Sequence, residues 1–379
     1  MRLVALLLLV PLALTACTTT DDAPPEPSPQ ASVPQPTGSA NPTDPAVTAK
    51  PSPARADPQV AVARTLATGL RAPWGLDFLP DGSAVVTERD TKRVLVLKAG
   101  SEPREIGTID EADPREESGL LGVAVSPDFT RDSTLFFYLT TATDNRVVRT
   151  TYDGSTLGAI EPILTGIPKG FTHDGGRLEF APDGNLLVST GETGDGQMAQ
   201  DPNALGGKIL RITTDGDPAP GNPDPDSPIW TSGHRNVQGL AFDSSGQLWA
   251  SEFGSQTFDE LNQIRKGANY GWPHFEGTGG APSYADPQVV WRTANASPSG
   301  LAFAAGHLWM ASLRGERLWR VPVKDGRASK PTDFFVGKYG RLRTVVRAPN
   351  GNLWLTTSNR DGRGDPGPAD DRILEITLS

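Results

Sequence analysis

Short stretches of alternating apolar and polar residues recur along the chain, each broken by a turn that contains glycine, asparagine or a Pro-Asp-Gly step. The copies share a start similar to Gly-Leu-x-Phe and a second run similar to Leu-Trp-x-x-Ser. They begin at Gly75, Gly122, Arg177, Gly239, Gly300 and Thr344. Period-two alternation joined by hairpin turns predicts antiparallel β-strands. Starts roughly 45 to 60 residues apart are typical of propeller blades. The pattern therefore predicts an all-β, six-bladed β-propeller.

The two ends of the repeat predict how the propeller closes. The last copy has apolar runs near Val345, Leu353 and Ile373, which leaves its blade one strand short. The segment from Val60 to Leu66 is an apolar run that precedes the first copy. We expect this segment to complete the last blade, because an open sheet edge is a liability. The alternative architecture for so many short strands is a β-sandwich or two stacked domains.

The N-terminal residues resemble a bacterial export signal of the lipoprotein type. Arg2 is followed by an apolar run from Leu3 to Leu14, and the string Leu-Thr-Ala-Cys ends at Cys17, the only cysteine. The run is shorter than the roughly 20 residues that span a membrane. We expect residues 1–16 to be a signal peptide and Cys17 to carry lipid. The protein would then be extracytoplasmic and held at the cell membrane by its lipid alone. An ordinary signal peptide followed by a chance cysteine is the alternative.

Composition divides the rest of the chain in two. Residues 17–58 are rich in Pro, Ser, Thr and Ala and contain few branched apolar residues, which predicts a disordered tether. The folded domain is expected at residues 59–379. The formal net charge of −10 and the lack of a basic stripe with interleaved aromatic residues argue against a nucleic-acid partner. A single cysteine excludes an intrachain disulfide and a cysteine-based metal cluster.

Candidate functional residues collect just before the starts of the copies. In a propeller the first strand of each blade lines the channel, so residues at these positions meet at one mouth. They are Glu117, His173, Arg235, Asn236, Arg341 and Arg343, with Arg314 after the second strand of the fifth copy. A histidine near several arginines indicates a base beside an anion site. Each residue could instead hold a loop in place.

Five segments carry a family resemblance: EESGLLGVAVSPDF, HDGGRLEFAPDG, GHRNVQGLAF, DELNQIRKGANYGWP and GRLRTVVRAPNGNLW. They resemble the soluble aldose dehydrogenases that depend on pyrroloquinoline quinone, the glucose/sorbosone dehydrogenase family of six-bladed propellers. The likeness covers nearly all of the chain after about Arg64. It implies oxidation of an aldose at its anomeric carbon, with hydride transfer to the quinone and assistance from Ca²⁺. The electron acceptor is not implied.

The resemblance also implies roles for individual residues. His173 matches the general base, and Asp174 is our candidate to orient it, because Thr172 stands where some relatives have aspartate. The residues matched to the cofactor site are Glu117, Arg235, Asn236, Arg314, Arg341 and Arg343, of which Arg314 replaces a lysine of some relatives. Calcium would be bound by the backbone of Gly254 and Ser255, where relatives usually have Gly-Pro. A further calcium site is matched by Glu260 and Tyr270.

Two other classes of function remain open from the residues. A non-catalytic propeller that binds a glycan or an envelope protein is favoured by Thr172 and Ser255, which depart from the family next to the chemistry. A calcium-dependent lactonase would need a ring of inward carboxylates, and few stand at the blade starts. The glycine-rich string from Gly191 to Gly196 is not followed by a predicted helix, and Arg363-Gly364-Asp365 is interpreted as a chance match, so neither is assigned a role.

Overall fold

The computed structural model describes residues 57–379. The predicted signal peptide, Cys17 and almost all of the predicted tether lie outside these residues. The strands form six antiparallel sheets, five of four strands and one of five, arranged as a β-propeller. The predicted fold is therefore confirmed. No helix among residues 57–379 has the length and apolar character needed to cross a membrane.

The first described strand is β1 (Val60–Ala67), and blades 1 to 3 follow it. Their strands are β2 (Pro73–Phe78), β3 (Ala84–Glu88), β4 (Arg93–Leu97), β5 (Arg104–Thr108), β6 (Leu120–Val125), β7 (Thr134–Thr140), β8 (Asn145–Thr151), β9 (Glu161–Ile167), β10 (Leu178–Phe180), β11 (Leu186–Ser189), β12 (Ile209–Ile212) and β13 (Ile229–Thr231). A short helix α1 (Phe129–Asp132) lies between β6 and β7, and a 3₁₀ turn (Gly196–Ala199) lies between β11 and β12.

Blades 4 to 6 complete the ring. Their strands are β14 (Val237–Phe242), β15 (Leu248–Glu252), β16 (Phe258–Gln263), β17 (Val289–Arg292), β18 (Pro298–Ala304), β19 (His307–Ser312), β20 (Arg317–Lys324), β21 (Arg327–Ala328), β22 (Thr332–Phe334), β23 (Leu342–Arg347), β24 (Leu353–Thr357) and β25 (Ile373–Leu378). Both β21 and β22 pair with β20, which makes blade 5 the five-stranded sheet.

The N-terminal strand closes the ring, as predicted. Strand β1 pairs antiparallel with β25, from Val60 opposite Leu378 to Ala67 opposite Ile373, and gives blade 6 its fourth strand. The side chain of Arg64 donates to Glu375 at 2.7 Å across this pair. Because β1 lies beyond the three strands of the last copy, both ends of the domain share one sheet.

The cores lie between neighbouring blades. Five consecutive residues of β7, from Leu135 to Leu139, are all buried, because both faces of the blade are covered by neighbouring sheets. Leu135 and Phe137 pack towards blade 1, and Phe136 and Tyr138 pack towards blade 3. Apolar residues on both faces of a strand therefore fix the blades side by side and leave the first strands around a channel.

The channel is crossed by the side chain of Arg177, which precedes β10. Its guanidinium lies 4.4 Å from the centre of the Trp74 ring, its Nε donates to the Gln238 carbonyl at 2.8 Å, and its Nη2 donates to the Thr344 hydroxyl at 3.1 Å. Burial lowers the pKa of Arg177 to about 9. One side chain thus joins blades 1, 3, 4 and 6 below the end of the channel where the first strands begin, which we call the entry mouth.

Candidate active site

The loop that carries His173 is built tightly against the entry mouth. His173 has a positive φ of 61°, a conformation that is uncommon and costs free energy for residues other than glycine. Its backbone N–H donates to a carboxylate oxygen of Glu117 at 2.8 Å, and its carbonyl accepts from Thr193 at 3.3 Å. A Cβ on Gly191 would lie only 1.7 Å from that carbonyl oxygen, so glycine is required there.

The imidazole of His173 is held between an acid and a base. Its Nδ1 lies 2.6 Å from Oε1 of Glu192, and its Nε2 lies 3.0 Å from Nη2 of Arg235. A carboxylate accepts and a guanidinium donates, so the neutral ring carries its proton on Nδ1 and presents a lone pair at Nε2. His173 is therefore arranged to accept a proton at Nε2.

The expectation that Asp174 orients the imidazole is wrong. The carboxylate of Asp174 accepts from Asn145 at 2.9 Å, from the Ser118 hydroxyl at 3.0 Å and from the backbone of Gly170 at 3.0 Å. These bonds turn it away from the ring and into the support of the loop. The orienting carboxylate is Glu192, in the glycine-rich string that the sequence left without a role.

Arg235 and Asn236 both reach the His173 loop. The Arg235 guanidinium lies 5.4 Å from the centre of the Trp272 ring, and its Nε is buried without a hydrogen-bond partner in the described chain. Burial lowers the pKa of Arg235. Asn236 is buried, and its side-chain oxygen accepts from the backbone of Gly175 at 3.1 Å. Arg235 therefore offers a donor that an added acceptor would satisfy, whereas Asn236 is engaged with the protein.

A cavity of about 180 Å³ opens beside this loop at the entry mouth. It is lined by five arginines and two carboxylates, together with four uncharged residues. They are Arg89, Arg314, Arg341, Arg343, Arg363, Glu117, Asp361, Gln238, Phe253, Ser297 and Leu313. The excess of positive charge suits a ligand with several carboxylates, because guanidinium groups bind carboxylates in a bidentate manner.

The arginines of the cavity are only partly neutralised. Asp361 accepts from Arg341 Nη2 at 2.9 Å and from Arg343 Nη2 at 3.2 Å. Burial, with Arg89 and Arg341 nearby, lowers the pKa of Arg343 to about 10, although Asp361 opposes this shift. Exposed Arg314 forms no ion pair among the described residues. Because Arg341 and Arg343 share the single carboxylate of Asp361, a ligand that brings further negative charge would stabilise the cavity.

Arg363 joins the cavity to the His173 loop. Its Nη1 lies 2.6 Å from Oε1 of Glu117, whose other carboxylate oxygen accepts the His173 N–H. Burial alone would raise the pKa of Glu117, but the bonds from Arg363 and the His173 backbone hold it below its usual range. A loop of blade 6 is thus connected through Glu117 to the base on blade 3.

The residues matched to calcium lie in the loop between β15 and β16. The carbonyl oxygens of Gly254 and Ser255 accept no hydrogen bond from the described chain, while the N–H groups of residues 255–258 all donate to Oε1 of Glu276, at 2.8 to 3.1 Å. No group of three or more His, Cys, Asp or Glu side chains within residues 57–379 is arranged to hold a metal ion. Unpartnered carbonyl oxygens are ligands that suit a hard cation such as Ca²⁺.

Glu260 and Tyr270, matched to the further calcium site, are both buried. Glu260 accepts from Asn262 at 3.0 Å and from the Gly277 backbone at 2.6 Å, and burial next to Glu252 raises its pKa. The side-chain oxygen of Asn262 is buried without a partner in the described chain. The Tyr270 ring stacks on His234 at 4.6 Å. A cation here would relieve the burial of Glu260 and supply a partner for Asn262.

Sequence reasoning missed Glu192, Arg363, Arg89 and Asp361. Arg89 and Asp361 follow second strands of their blades, as Arg314 does, so the same rule could have found them. Glu192 also follows a second strand, β11, so the same rule could have found it, but the glycine-rich string around it was assigned no role. Arg363 lies six residues past the end of β24, in a turn that no strand pattern can place.

The fold and the site together define a β-propeller whose entry mouth places a histidine, arranged to accept a proton, beside an arginine-lined cavity suited to an anion. A family model places this chain more narrowly. The model described as Glucose / Sorbosone dehydrogenase matches residues 70–365. The chain belongs to that family.

Individual relatives agree in fold and sequence. The PQQ-bound aldose sugar dehydrogenase of Streptomyces coelicolor is 52% identical with a TM-score of 0.83, over 85% of this chain and 98% of that one. The aldose sugar dehydrogenase YliI of Escherichia coli K12 is 26% identical over 81% of this chain and 92% of that protein. Quinoprotein glucose dehydrogenase B of Acinetobacter calcoaceticus is 32% identical over 59% of this chain and 54% of that protein.

Proposed function

We propose that this protein is an aldose dehydrogenase that uses pyrroloquinoline quinone and Ca²⁺ to oxidise sugars at the anomeric carbon. The observation that carries the proposal is the setting of His173. Its Nε2 lone pair stands at the entry mouth, its Nδ1 is fixed by Glu192, and a cavity lined by arginines lies beside its loop. Family membership and the quinone-bound relative from Streptomyces coelicolor support the same reading.

The cofactor would be held by charge on one side and by oxygen ligands on the other. Arg314, Arg341 and Arg343 would bind its carboxylates, and the carbonyl oxygens of Gly254 and Ser255 would bind Ca²⁺. When bound, the quinone supplies a hydride acceptor, and Ca²⁺ polarises it. The two charged buried arginines would gain partners that Asp361 alone does not provide.

The residues around His173 would move the proton. Nε2 would accept the proton of the anomeric hydroxyl, and the Glu192 carboxylate would stabilise the imidazolium that results. Arg235 now donates to Nε2, so its guanidinium would turn to a sugar oxygen as the hydroxyl takes its place. The bond from Glu117 to the His173 backbone would hold the ring in position during the exchange.

A titration tests the proposal. Purified protein freed of metal would be titrated with the quinone, with and without Ca²⁺, and supplied with a panel of aldoses and a redox dye. We expect saturable, Ca²⁺-dependent quinone binding and dye reduction that His173→Gln lowers by about 100-fold or more, with quinone binding retained. Absence of quinone binding would overturn the proposal. Glycan binding by a protein that reduces no dye, unchanged in His173→Ala, would favour a non-catalytic propeller instead.

We propose further that Cys17 carries a lipid that anchors the protein to the outer side of the cell membrane. The proposal rests on the apolar run from Leu3 to Leu14 and on the single cysteine that follows it. In cells, Cys17→Ser is expected to move the protein from the membrane fraction to the medium or the soluble extracytoplasmic fraction. Retention of the variant in the membrane fraction would contradict the anchor.

A further inference from the structure

The backbone on both sides of Phe171 is fixed by hydrogen bonds. Lys169 donates through its ammonium to the Thr141 carbonyl at 2.7 Å, and the Gly170 carbonyl accepts from the Ser118 hydroxyl at 3.1 Å. The carbonyl of Phe171 itself accepts from the Glu117 backbone at 3.3 Å, and His173 is bonded to the same glutamate. A segment held in this way does not need an apolar side chain to keep its conformation.

Phe171 nevertheless presents its ring to solvent. Its exposed fraction is 73%, the highest among the three exposed large apolar residues of the described chain; the others are Phe275 at 41% and Val336 at 55%. Phe275 packs beside Tyr284, with ring centres 5.7 Å apart, whereas no aromatic ring of residues 57–379 packs against Phe171. Exposing a phenyl ring on a rigid loop stabilises nothing in the folded state, and such exposure marks surfaces that bind.

The place of Phe171 defines what could cover it. It lies two residues before His173, and two peptide units span at most about 7 Å. A sugar whose anomeric hydroxyl meets Nε2 of His173 directs the rest of its ring, and any unit attached to it, away from the cavity. Phe171 is 73% exposed and lies two residues from His173, so its ring is available at the entry mouth for contact with a second sugar unit. Pyranose rings carry apolar C–H faces that pack on flat aromatic rings.

We propose that Phe171 forms a second sugar subsite, which binds the unit attached to the aldose that is oxidised. The natural substrate class would then be the reducing end of a disaccharide or oligosaccharide. This inference rests on the proposed function. A monosaccharide fills only the site at His173 and leaves the phenyl ring uncovered, whereas a longer sugar buries it.

Sugars of increasing length test the subsite. With the quinone- and Ca²⁺-loaded enzyme, kcat/KM would be measured for glucose, maltose and maltotriose in the wild type, Phe171→Ala and Phe171→Trp. Phe171→Ala is expected to lower kcat/KM for maltose and maltotriose about tenfold, mainly through KM, and to change the value for glucose by less than about twofold. Phe171→Trp should keep the preference for the longer sugars. The substitution leaves the carbonyl of residue 171 in place, so the loop should fold.

A matched variant separates the subsite from a general surface effect. Val336→Ala removes another exposed apolar side chain, 55% exposed, from a different loop and should leave kcat/KM for all three sugars unchanged. Equal losses for glucose and maltotriose in Phe171→Ala would overturn the inference, because they would indicate a role in the loop. Unchanged kinetics with every sugar would overturn it as well.

A binding measurement distinguishes failure of the subsite from failure of the proposed function. Chemical-shift changes on adding maltotriose to the protein without cofactor would be compared for the wild type and Phe171→Ala. Shifts near residue 171 that weaken in the variant support the subsite, even if the loaded enzyme reduces no dye and the proposed function falls. If maltotriose binding is the same in the wild type and Phe171→Ala, or if there is no binding, the inference of a subsite is overturned. Glucose oxidation is then judged separately from the dye assay.

Discussion

At the scale of single residues, the proposed proton transfer depends on which carboxylate lies at Nδ1 of His173. Asp174, next to His173 in sequence, supports the loop through Asn145 and Ser118, whereas Glu192, far away in sequence, orients the imidazole. The sequence identified the histidine because base and glycines stand together. It could not identify the partner carboxylate. The positive φ of His173 directs the imidazole towards Glu192 and not towards Asp174, its neighbour in sequence.

Glu192→Gln should separate orientation of the base from binding of the cofactor. The amide is neutral and can place either its oxygen or its NH₂ group at Nδ1, so the ring loses both its fixed tautomer and the stabilisation of imidazolium. We expect kcat to fall about 100-fold while quinone affinity stays within about threefold. Stopped assays give kcat, and fluorescence quenching gives the affinity. Unchanged kcat would mean that Glu192 does not act through His173.

A half-buried glutamate in the channel, Glu179, should make stability depend on pH. Glu179 has no hydrogen-bond partner for its carboxylate in the described chain, and burial together with Asp77 raises its pKa to about 8. A raised pKa means that the folded state prefers the protonated acid. The free energy of unfolding therefore falls as pH rises from the unfolded pKa, about 4.5, through 8.

Glu179→Gln should remove this loss. We expect the variant to match the wild type near pH 4.5 and to exceed it by about 1–3 kcal/mol near pH 8.5, measured by urea unfolding. The exposed Glu102 provides a control, since Glu102→Gln should shift neither value. A variant that gains nothing at high pH would show that the carboxylate is solvated in the folded state.

At the scale of elements, loops rather than strands determine the site. The strands were predictable because alternation and hairpin turns leave a local signal, and β24 (Leu353–Thr357) is found at the apolar run expected near Leu353. The long connection after β16 was not predictable. It brings Glu276 back to the entry mouth to bind the four N–H groups of residues 255–258. Such a contact joins segments about 20 residues apart and leaves no periodic pattern.

Glu276→Gln should weaken Ca²⁺ binding at the proposed site formed by Gly254 and Ser255. The charged oxygen turns the N–H groups of the loop towards itself, which leaves the Gly254 and Ser255 carbonyls free. A neutral amide holds these groups less strongly. We expect the dissociation constant for Ca²⁺ to rise about tenfold in calorimetric titration of the metal-free protein.

The same connection supplies a matched control for Glu276→Gln. Asp286 accepts N–H groups of residues 279–281 and does not touch the loop between β15 and β16. Asp286→Asn should therefore leave Ca²⁺ affinity unchanged. Equal weakening by both variants would indicate a general loss of order in the connection.

At the scale of the whole molecule, closure was predictable because a missing strand at one end and a spare strand at the other can be counted. Strand β1 completes blade 6 at residues Val60–Ala67, close to the expected Val60 to Leu66. The channel-crossing contacts of Arg177 were not predictable, since they depend on four blades meeting at distances that only the closed ring sets. Sequence repeats define the blades, whereas the ring defines the site.

Removal of β1 should therefore destabilise the entire ring. A chain that starts after Ala67 exposes the edge of β25 and loses the salt bridge of Arg64 with Glu375. We expect its thermal midpoint to fall by at least about 10 °C, or the protein to aggregate, measured by circular dichroism with light scattering. A chain that starts at Asp57 keeps strand β1 and should have the same thermal midpoint as the full-length protein. Equal midpoints for both truncations would contradict closure by β1.

The direction of β1 has a consequence for how the molecule meets its surroundings. Ala67 pairs near the end of blade 6 where β23 begins with Leu342, at the entry mouth, and Val60 pairs with Leu378 at the opposite end. The polypeptide thus joins the ring at the face remote from His173. The proposed sugar site and the start of strand β1 therefore lie at opposite faces of the ring, so β1 does not obstruct the entry mouth. Immobilising the protein through its N-terminus on an electrode or a bead should accordingly cost it no access to substrate.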